Sequence, residues 1–377
     1  MSFSKSNMRG FSDPRTIFQI DRLYAWKHGE FFPPATIEIS PINVCNQKCR
    51  YCYIHGRSQK IKKDKGLSAE MFVDIVRQCG EIGVSAIIIQ GTGEPLLHPG
   101  VPAAFAEAQR QGVYMSVTTN GVLLDRNLAE EILPKAFAVR LSNVIPEKGP
   151  YTYIHDCPES HFDKLMQNIQ DAVKIRKDKN LKTGIWGTLY LDGDTFEKLF
   201  IYVKTLKSLG IDYITLSEAK WTSDTFVKEK LPMSKDTMKG KKKLLEELVK
   251  QAYELCDDDF KIKTRFSIDS MLYPSTVPTP EDFVPYQCEG VKFFATVNSD
   301  GEVLPCWRFW GNKEYSYGNM HNNDLKTILQ SPKAEAAFKY LNTVPPEHDE
   351  CYVCGHGVLN EALNKLKNIT PWHNFMN

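Results

Sequence analysis

Two rhythms of hydrophobic and polar positions alternate from residue 36 onward. Short apolar runs such as "TIEISPIN", "SAIIIQG", "VYMSVTTNG", "FAVRLSNV", "TGIWGTLYL" and "DYITLSEAKW" read as strands. The unbroken run in "SAIIIQG" is what a strand buried on both faces requires. Between them lie segments whose apolar residues fall three and four apart. One of these can be capped by Ser68 and carries Phe72, Ile75, Val76, Cys79 and Ile82 on one helical face. Further helices are predicted near 100–111, 127–132, 160–177 and 240–256, and another, opened by a capping-box-like Asp194 and Glu197, should end at Gly210. Strand–helix alternation predicts a parallel sheet with crossover helices. Six such units predict an α/β fold, a partial (β/α)6 TIM-like barrel with its chemistry at the C-terminal ends of the strands.

The flanks break this rhythm. Residues 1–35 are polar and dotted with aromatics, and predict one helix docked on the barrel. From 36 to 273 the barrel runs, closed by a further strand, "KIKTRFSI". A Pro-, Thr- and Ser-rich linker is expected over 274–287. Residues 288–377 predict a small module with a hairpin across Ser299-Asp300-Gly301, a helix near 324–341 and a C-terminal helix.

Composition narrows the function classes. Of 377 residues, 42% are hydrophobic and 25% charged, so a sizeable core can be buried. A formal charge of +1 provides no general attraction to nucleic acid or to an anionic membrane. No apolar stretch approaches a membrane span and "MSFSKSNMRG" is not a signal peptide, so a cytoplasmic protein is expected, without membrane or nucleic-acid partners. Ten cysteines in clusters, without a secretory signal, then point to metal ligation rather than disulfides.

Three of those cysteines, Cys45, Cys49 and Cys52, form Cys-x3-Cys-x2-Cys directly after the first predicted strand. Four-iron clusters are normally held by four cysteines, so three leave one iron open to a ligand. Zinc sites pair their ligands differently, commonly as two Cys-x2-Cys units. With Tyr51 before the last cysteine, the run resembles the signature of the radical S-adenosylmethionine (SAM) superfamily. That resemblance implies a [4Fe-4S] cluster whose open iron is chelated by SAM, reductive cleavage to a 5′-deoxyadenosyl radical, and hydrogen abstraction from substrate. It also implies the partial barrel, and a reducing partner such as flavodoxin or ferredoxin.

Several residues match the family's cofactor-binding pattern. Gly93, Glu94 and Pro95 resemble the Gly-Gly-Glu-Pro motif, with Thr92 in place of one glycine; the acidic group would receive the methionine ammonium. Tyr51 falls where an aromatic residue meets the adenine. Thr119 and Asn120 end the third strand, Arg140 and Ser142 share a face of the fourth, and Gly184 opens the fifth, which in the family passes under the adenine.

Cys288, Cys306, Cys351 and Cys354 remain. Cys-x17-Cys, a long gap and Cys-x2-Cys resemble the shortened "twitch" form of the SPASM extension, which implies one auxiliary [4Fe-4S] cluster without an open iron. A zinc ribbon in the same four thiolates is the alternative. Cys79 and Cys256 read as core. Cys157, in the loop after strand four, is either a hydrogen donor to a substrate radical or an ordinary loop cysteine. Glu218 and Lys220, on one face of strand six, are candidates for substrate contact or proton removal. The short N-terminal extension and twitch-type module favour a small polar substrate (a sugar, aminosugar or cyclitol, dehydrogenated or epimerised). Modification of a ribosomally made peptide is the alternative, and a non-catalytic metal-stabilised binding protein a second one.

Overall fold

In the computed structural model, residues 18–52, 66–191, 195–218, 240–264, 288–343 and 357–367 are described. The barrel alternation is present. Strands β1 (Thr36–Ile39), β2 (Ala86–Ile89), β3 (Tyr114–Thr119), β4 (Ala138–Leu141), β5 (Gly184–Leu191), β6 (Tyr213–Glu218) and β7 (Lys261–Thr264) pair in parallel in chain order. Helices α2 (Ala69–Ile82), α3 (Val101–Gln111), α4 (Arg126–Ile132), α6 (Glu159–Asp178), α7 (Leu199–Ser208) and α8 (Lys242–Glu254) make the crossovers. Ser68 caps α2, its hydroxyl accepting from Met71 N at 3.1 Å. The helix buries Phe72, Ile75, Val76 and Cys79, as its periodicity predicts.

Between β4 and α6 the sequence reads as a long loop, yet it contains helix α5 (Lys148–His155). Its start, "KGPYTYIH", carries Gly and Pro, which weaken any helical signal. Tertiary contacts decide instead: Tyr151 and Ile154 pack into the core. The helix expected near 324–341 is two, α9 (Leu325–Leu329) and α10 (Pro332–Thr343), because Pro332 cannot continue the first and suits the first turn of the second.

The module is less separate than its composition suggests. Strands β8 (Phe294–Val297) and β9 (Glu302–Leu304) form the expected hairpin, and β8 also pairs in parallel with β1, from Thr36↔Phe294 to Ile39↔Val297. With β10 (Gly318–Asn319) beside β9, one sheet runs β10-β9-β8-β1-β2-β3-β4-β5-β6-β7. The linker expected over 274–287 lies outside the described residues.

The N-terminal helix α1 (Ile20–His28) docks mainly on that module rather than on the barrel. Trp26 packs with Phe293 and with Leu363 of helix α11 (Gly357–Lys367), while Arg22 reaches the barrel through Gly83 O at 2.7 Å. The latch is Glu289. This buried carboxylate accepts from Trp26 Nε1 at 2.9 Å and from Lys367, and lies 3.3 Å from Lys292 Nζ. Burial pushes its carboxyl up, but the hydrogen bonds from Lys367 and Trp26 and the charge of Lys292 outweigh that and hold it below the usual range. Glu289→Ala should therefore cost about 1–3 kcal/mol in denaturant unfolding at pH 7, the range for removing one partner of a buried hydrogen-bonded group. Because the folded pKa is depressed, the wild-type advantage is complete above the ordinary carboxylate range and shrinks as pH falls through it. An unchanged midpoint would mean that α1 and α11 dock without the latch.

Candidate functional site: the cysteine loop and the strand ends

The first cysteine triad leaves the C-terminal end of β1. Its loop is held from below by the strand-two turn and from the side by α5. At the turn, a Cβ on Gly93 would lie 2.4 Å from Val44 O and 2.7 Å from Ile42 O, so only glycine lets the two backbones meet. Glu94 N donates to Val44 O at 2.9 Å across that contact. On the other side Lys48 N and Arg50 N donate to His155 O and Ile154 O, at 3.2 and 2.8 Å, the last carbonyls of α5. Cys52 N closes a turn onto Cys49 O at 3.0 Å.

Glu94 is the hub. Its buried carboxylate accepts from Thr119 Oγ1 at 2.6 Å and Leu96 N at 3.0 Å through Oε1, and from Asn120 N at 2.8 Å through Oε2. Burial raises its pKa, against those three hydrogen bonds. Asn120 Nδ2 then donates to Asn46 Oδ1 at 2.7 Å, inside the cysteine loop. Glu94, Thr119 and Asn120 thus converge on the loop carrying Cys45. Among the described residues three donors occupy three of the carboxylate's roughly four acceptor positions, and Oε2 can take one more. Pro95 starts the short 3-10 turn that Glu94 caps.

His155 belongs to this site, and no sequence signal marked it. The ring is fully buried, with Nε2 3.0 Å from Asn143 O and Nδ1 3.2 Å from Cys49 Sγ. Burial lowers its pKa to about 4, opposed by the Asn143 bond, so the ring is neutral. Nδ1 also lies 3.0 Å from Gln47 Oε1, so an oxygen acceptor faces each ring nitrogen and the single proton of the neutral ring can serve only one of them. The ring stacks on Tyr151, whose hydroxyl accepts from Gln47 Nε2 at 2.9 Å, again inside the loop.

The remaining candidates divide. Tyr51 packs edge-on to His155 and against Tyr190, ring centroids 5.7 and 5.0 Å apart. Ser142 follows β4, its N–H donating to Thr119 O at 2.8 Å, and Arg140 stands in β4 beside Thr118. Cys157 follows α5, half-buried; burial, with Asp156 adding, lifts its thiol to about 11 and keeps it as S–H. Gly184 is not brought to the site. It opens β5 opposite Ala138, at the far end of the strands, and the space a Cβ would take is filled by the Trp186 indole at 2.4 Å. Glu218 ends β6 opposite Leu191, and Lys220 lies outside the described residues.

In the module, Cys288 and Cys306 enter one apolar cluster with Leu304, Phe309, Trp310 and Tyr315, and Cys52 of the first loop packs against the same cluster. Asn360 of α11 bonds Gly290 N at 2.6 Å and lies 3.5 Å from Cys288 Sγ. Cys351 and Cys354 lie outside the described residues. Among the described residues no three Cys, His, Asp or Glu side chains converge tightly enough for a single metal ion. Three thiols on one loop are a donor set suited to an iron–sulfur cluster, in which each cysteine takes its own iron. Among the described residues no helix is long and apolar enough to cross a membrane.

Comparison with known proteins agrees with this geometry. The radical SAM superfamily profile matches residues 39–203, and the SPASM iron–sulfur cluster-binding domain matches 288–355. A probable GTP 3′,8-cyclase of Pyrobaculum aerophilum is 29% identical over 187 residues, 48% of this chain and 57% of the relative. A PqqA peptide cyclase of Streptomyces rochei is 31% identical over 99 residues, 26% of each chain. The matches to the GTP 3′,8-cyclases span about half of those relatives' length. Among solved structures, Streptococcus suis SuiB bound to S-adenosylmethionine shares the fold at a TM-score of 0.62 and 18% identity, over 96% of this chain and 81% of that one. The anSMEcpe structure with bound AdoMet does so at 0.56 and 20%, over 87% and 85%. The two domains imply a [4Fe-4S] cluster that works with SAM and an auxiliary iron–sulfur cluster. The chain carries a radical SAM domain followed by a SPASM iron–sulfur cluster-binding domain.

Proposed function

We propose that Cys45, Cys49 and Cys52 hold the SAM-binding cluster, that Cys288 and Cys306 with Cys351 and Cys354 hold the auxiliary one, and that the substrate is a peptide. The observation that carries the first assignment is the chain Thr119–Glu94–Asn120–Asn46, which ties the strand ends to the cysteine loop through a buried carboxylate. When bound, the cluster and SAM supply a hydrogen-abstracting radical. The protein's part is to place and enclose. Glu94 would offer its remaining acceptor position to the methionine ammonium of SAM, Arg140 would pair with its carboxylate, and Ser142 would hydrogen-bond its ribose. Cys157, held as S–H, stands ready to return a hydrogen atom. A one-electron donor of the flavodoxin or ferredoxin type supplies the electron.

A peptide has better support than the aminosugar expected from the short N-terminal extension. The similarity to the PqqA peptide cyclase favours it, and the shared fold includes a SuiB structure bound to precursor peptide SuiA, at a TM-score of 0.61. A nucleotide is the second reading, because the GTP 3′,8-cyclases align over more of the chain.

Three measurements test these assignments. Anaerobically reconstituted wild type should hold about eight irons, falling to about four in a Cys45→Ala/Cys49→Ala/Cys52→Ala variant that no longer forms 5′-deoxyadenosine from SAM; equal iron in both would overturn the ligand assignment. Thr119→Val removes a hydrogen bond to a charged group, about 1.5–3 kcal/mol, so SAM should bind roughly 10- to 150-fold more weakly with iron content retained. Unaltered SAM affinity would show that Glu94 does not need that hydroxyl. With dithionite as reductant, a synthetic peptide library should contain members that raise 5′-deoxyadenosine formation and change in mass. Stimulation by GTP or by aminosugars alone would replace the peptide reading.

A further inference from the structure

Beneath the strand ends, the inner face of the barrel carries polar side chains that neither cluster uses. Ile37 and Ile39 turn outward into the aliphatic core under the helices, so Glu38 between them faces inward. Its partners in register are Ile88 on β2 and Thr296 on β8. Glu38 Oε2 accepts from Gln90 Nε2 at 2.5 Å, and Gln90 Oε1 accepts from Thr118 Oγ1 at 3.2 Å. Thr296 is fully buried, and among the described residues its hydroxyl has no hydrogen-bond partner. Further along the same layer come Ser116 and Ala138, both small.

The fold does not need this arrangement. A buried carboxylate and an unpaired buried hydroxyl both cost stability, and apolar residues of like volume would be at least as stable here. Nor does the barrel's core depend on them, since the outward faces of the same strands are aliphatic.

We infer that Glu38 and Thr296 form a subsite on the barrel floor for a protonated primary amine of the substrate. An alkylammonium brings three donors and no acceptor, and the floor offers it a carboxylate and a free hydroxyl oxygen. The charged group acting on Glu38 from the neighbouring strands is Arg140 on β4. Arg140 stands one register step nearer the strand ends, beside Thr118, where the proposed SAM carboxylate would face it. The inference rests on that reading of the strand ends and deepens it: the substrate enters amine first, with its reacting carbon above the floor. Burial lifts the free Glu38 carboxyl to about 7, against the Gln90 bond and the Arg140 charge. A bound cation favours the ionised form, so binding releases protons near neutral pH and tightens between pH 6 and pH 8.

Calorimetry on the full, reconstituted, SAM-bound chain tests this with n-butylammonium as the amine alone and N-acetyl-lysine methylamide as a peptide-borne amine. Butyrate and n-butanol serve as the anionic and neutral comparators. Both amines should bind better than either comparator. Glu38→Gln should weaken them about tenfold or more, the scale of a hydrogen bond to a charged group, and Thr296→Val by a smaller factor. Tighter binding of the lysine derivative would assign the amine to a peptide lysine, and equal binding to a free amine; both support the subsite. Amines that bind no better than n-butanol, or that ignore both substitutions, overturn it. Folding of the variants is read from circular dichroism and iron content, and Thr296→Val carries the test if Glu38→Gln does not fold. Wild-type 5′-deoxyadenosine formation is measured separately: its absence alongside amine binding would remove the SAM reading and leave the subsite standing.

Discussion

A buried carboxylate needs donors, and in this molecule the donors of Glu94 come from the pieces that must be held together. Leu96 N belongs to its own turn, and Thr119 and Asn120 to the end of the next strand. Leaving such a group short of one partner costs more than the bond gains when made. The penalty therefore falls on any arrangement in which β2 and β3 end at different heights. Asn120 extends the constraint by one bond to Asn46. Glycine at 93 extends it again, by letting the cysteine loop rest on the turn with no side chain between them. The loop is thereby tied to the strand ends through side-chain and backbone contacts on one side.

The loop's second support is less evident from composition. Carbonyls at the end of α5, which have no intrahelical partner, accept from Lys48 and Arg50. The same turn carries His155 against Cys49 and Tyr151 against Gln47. The expected loop is thus a wall of the site. On the far side, β8 pairs with β1, and Cys52 packs into the cluster of apolar residues that contains Cys288 and Cys306. Both sets of cysteines are therefore referred to one sheet, and α1 and α11 are pinned beside the second set through Glu289.

How much of this the sequence carried depends on whether a feature is local or arises from contacts. The period-two and period-3.6 patterns placed six barrel strands and most of their helices, because each burial pattern lies within its own segment. The cysteine triad and Gly93-Glu94-Pro95 were legible for the same reason. The α5 helix was not, since "KGPYTYIH" has poor intrinsic propensity and is held by what Tyr151 and Ile154 touch. His155 carried no signal, because its role arises only where β4, α5 and the cysteine loop meet. Gly184 shows the opposite error: a glycine at the right strand number sits at the wrong end of it, under Trp186. The joining of β8 to β1 spans more than 250 residues of separation, a pairing that no local pattern encodes.

The strands themselves divide stability from function. Residues one apart point to opposite sides, so each strand can be aliphatic toward the helices and polar toward the lumen without compromise. Ile37 and Ile39 serve the core while Glu38 between them does not, and Ala295 and Val297 flank Thr296 in the same way. Along the inner face the polarity is layered. The hydroxyls and amides that grip Glu94 come at the strand ends, then Arg140, Thr118 and Gln90, then Glu38 and Thr296. Below the Glu94 carboxylate, the positive charge of Arg140 therefore lies nearer the cysteine loop, and the Glu38 carboxyl deeper. A substrate entering this lumen meets a fixed electrostatic direction before any chemistry begins. That direction follows from which residues occupy alternate positions on five adjacent strands, so a substitution on the inner face can re-aim the site while the core that holds the barrel together stays intact.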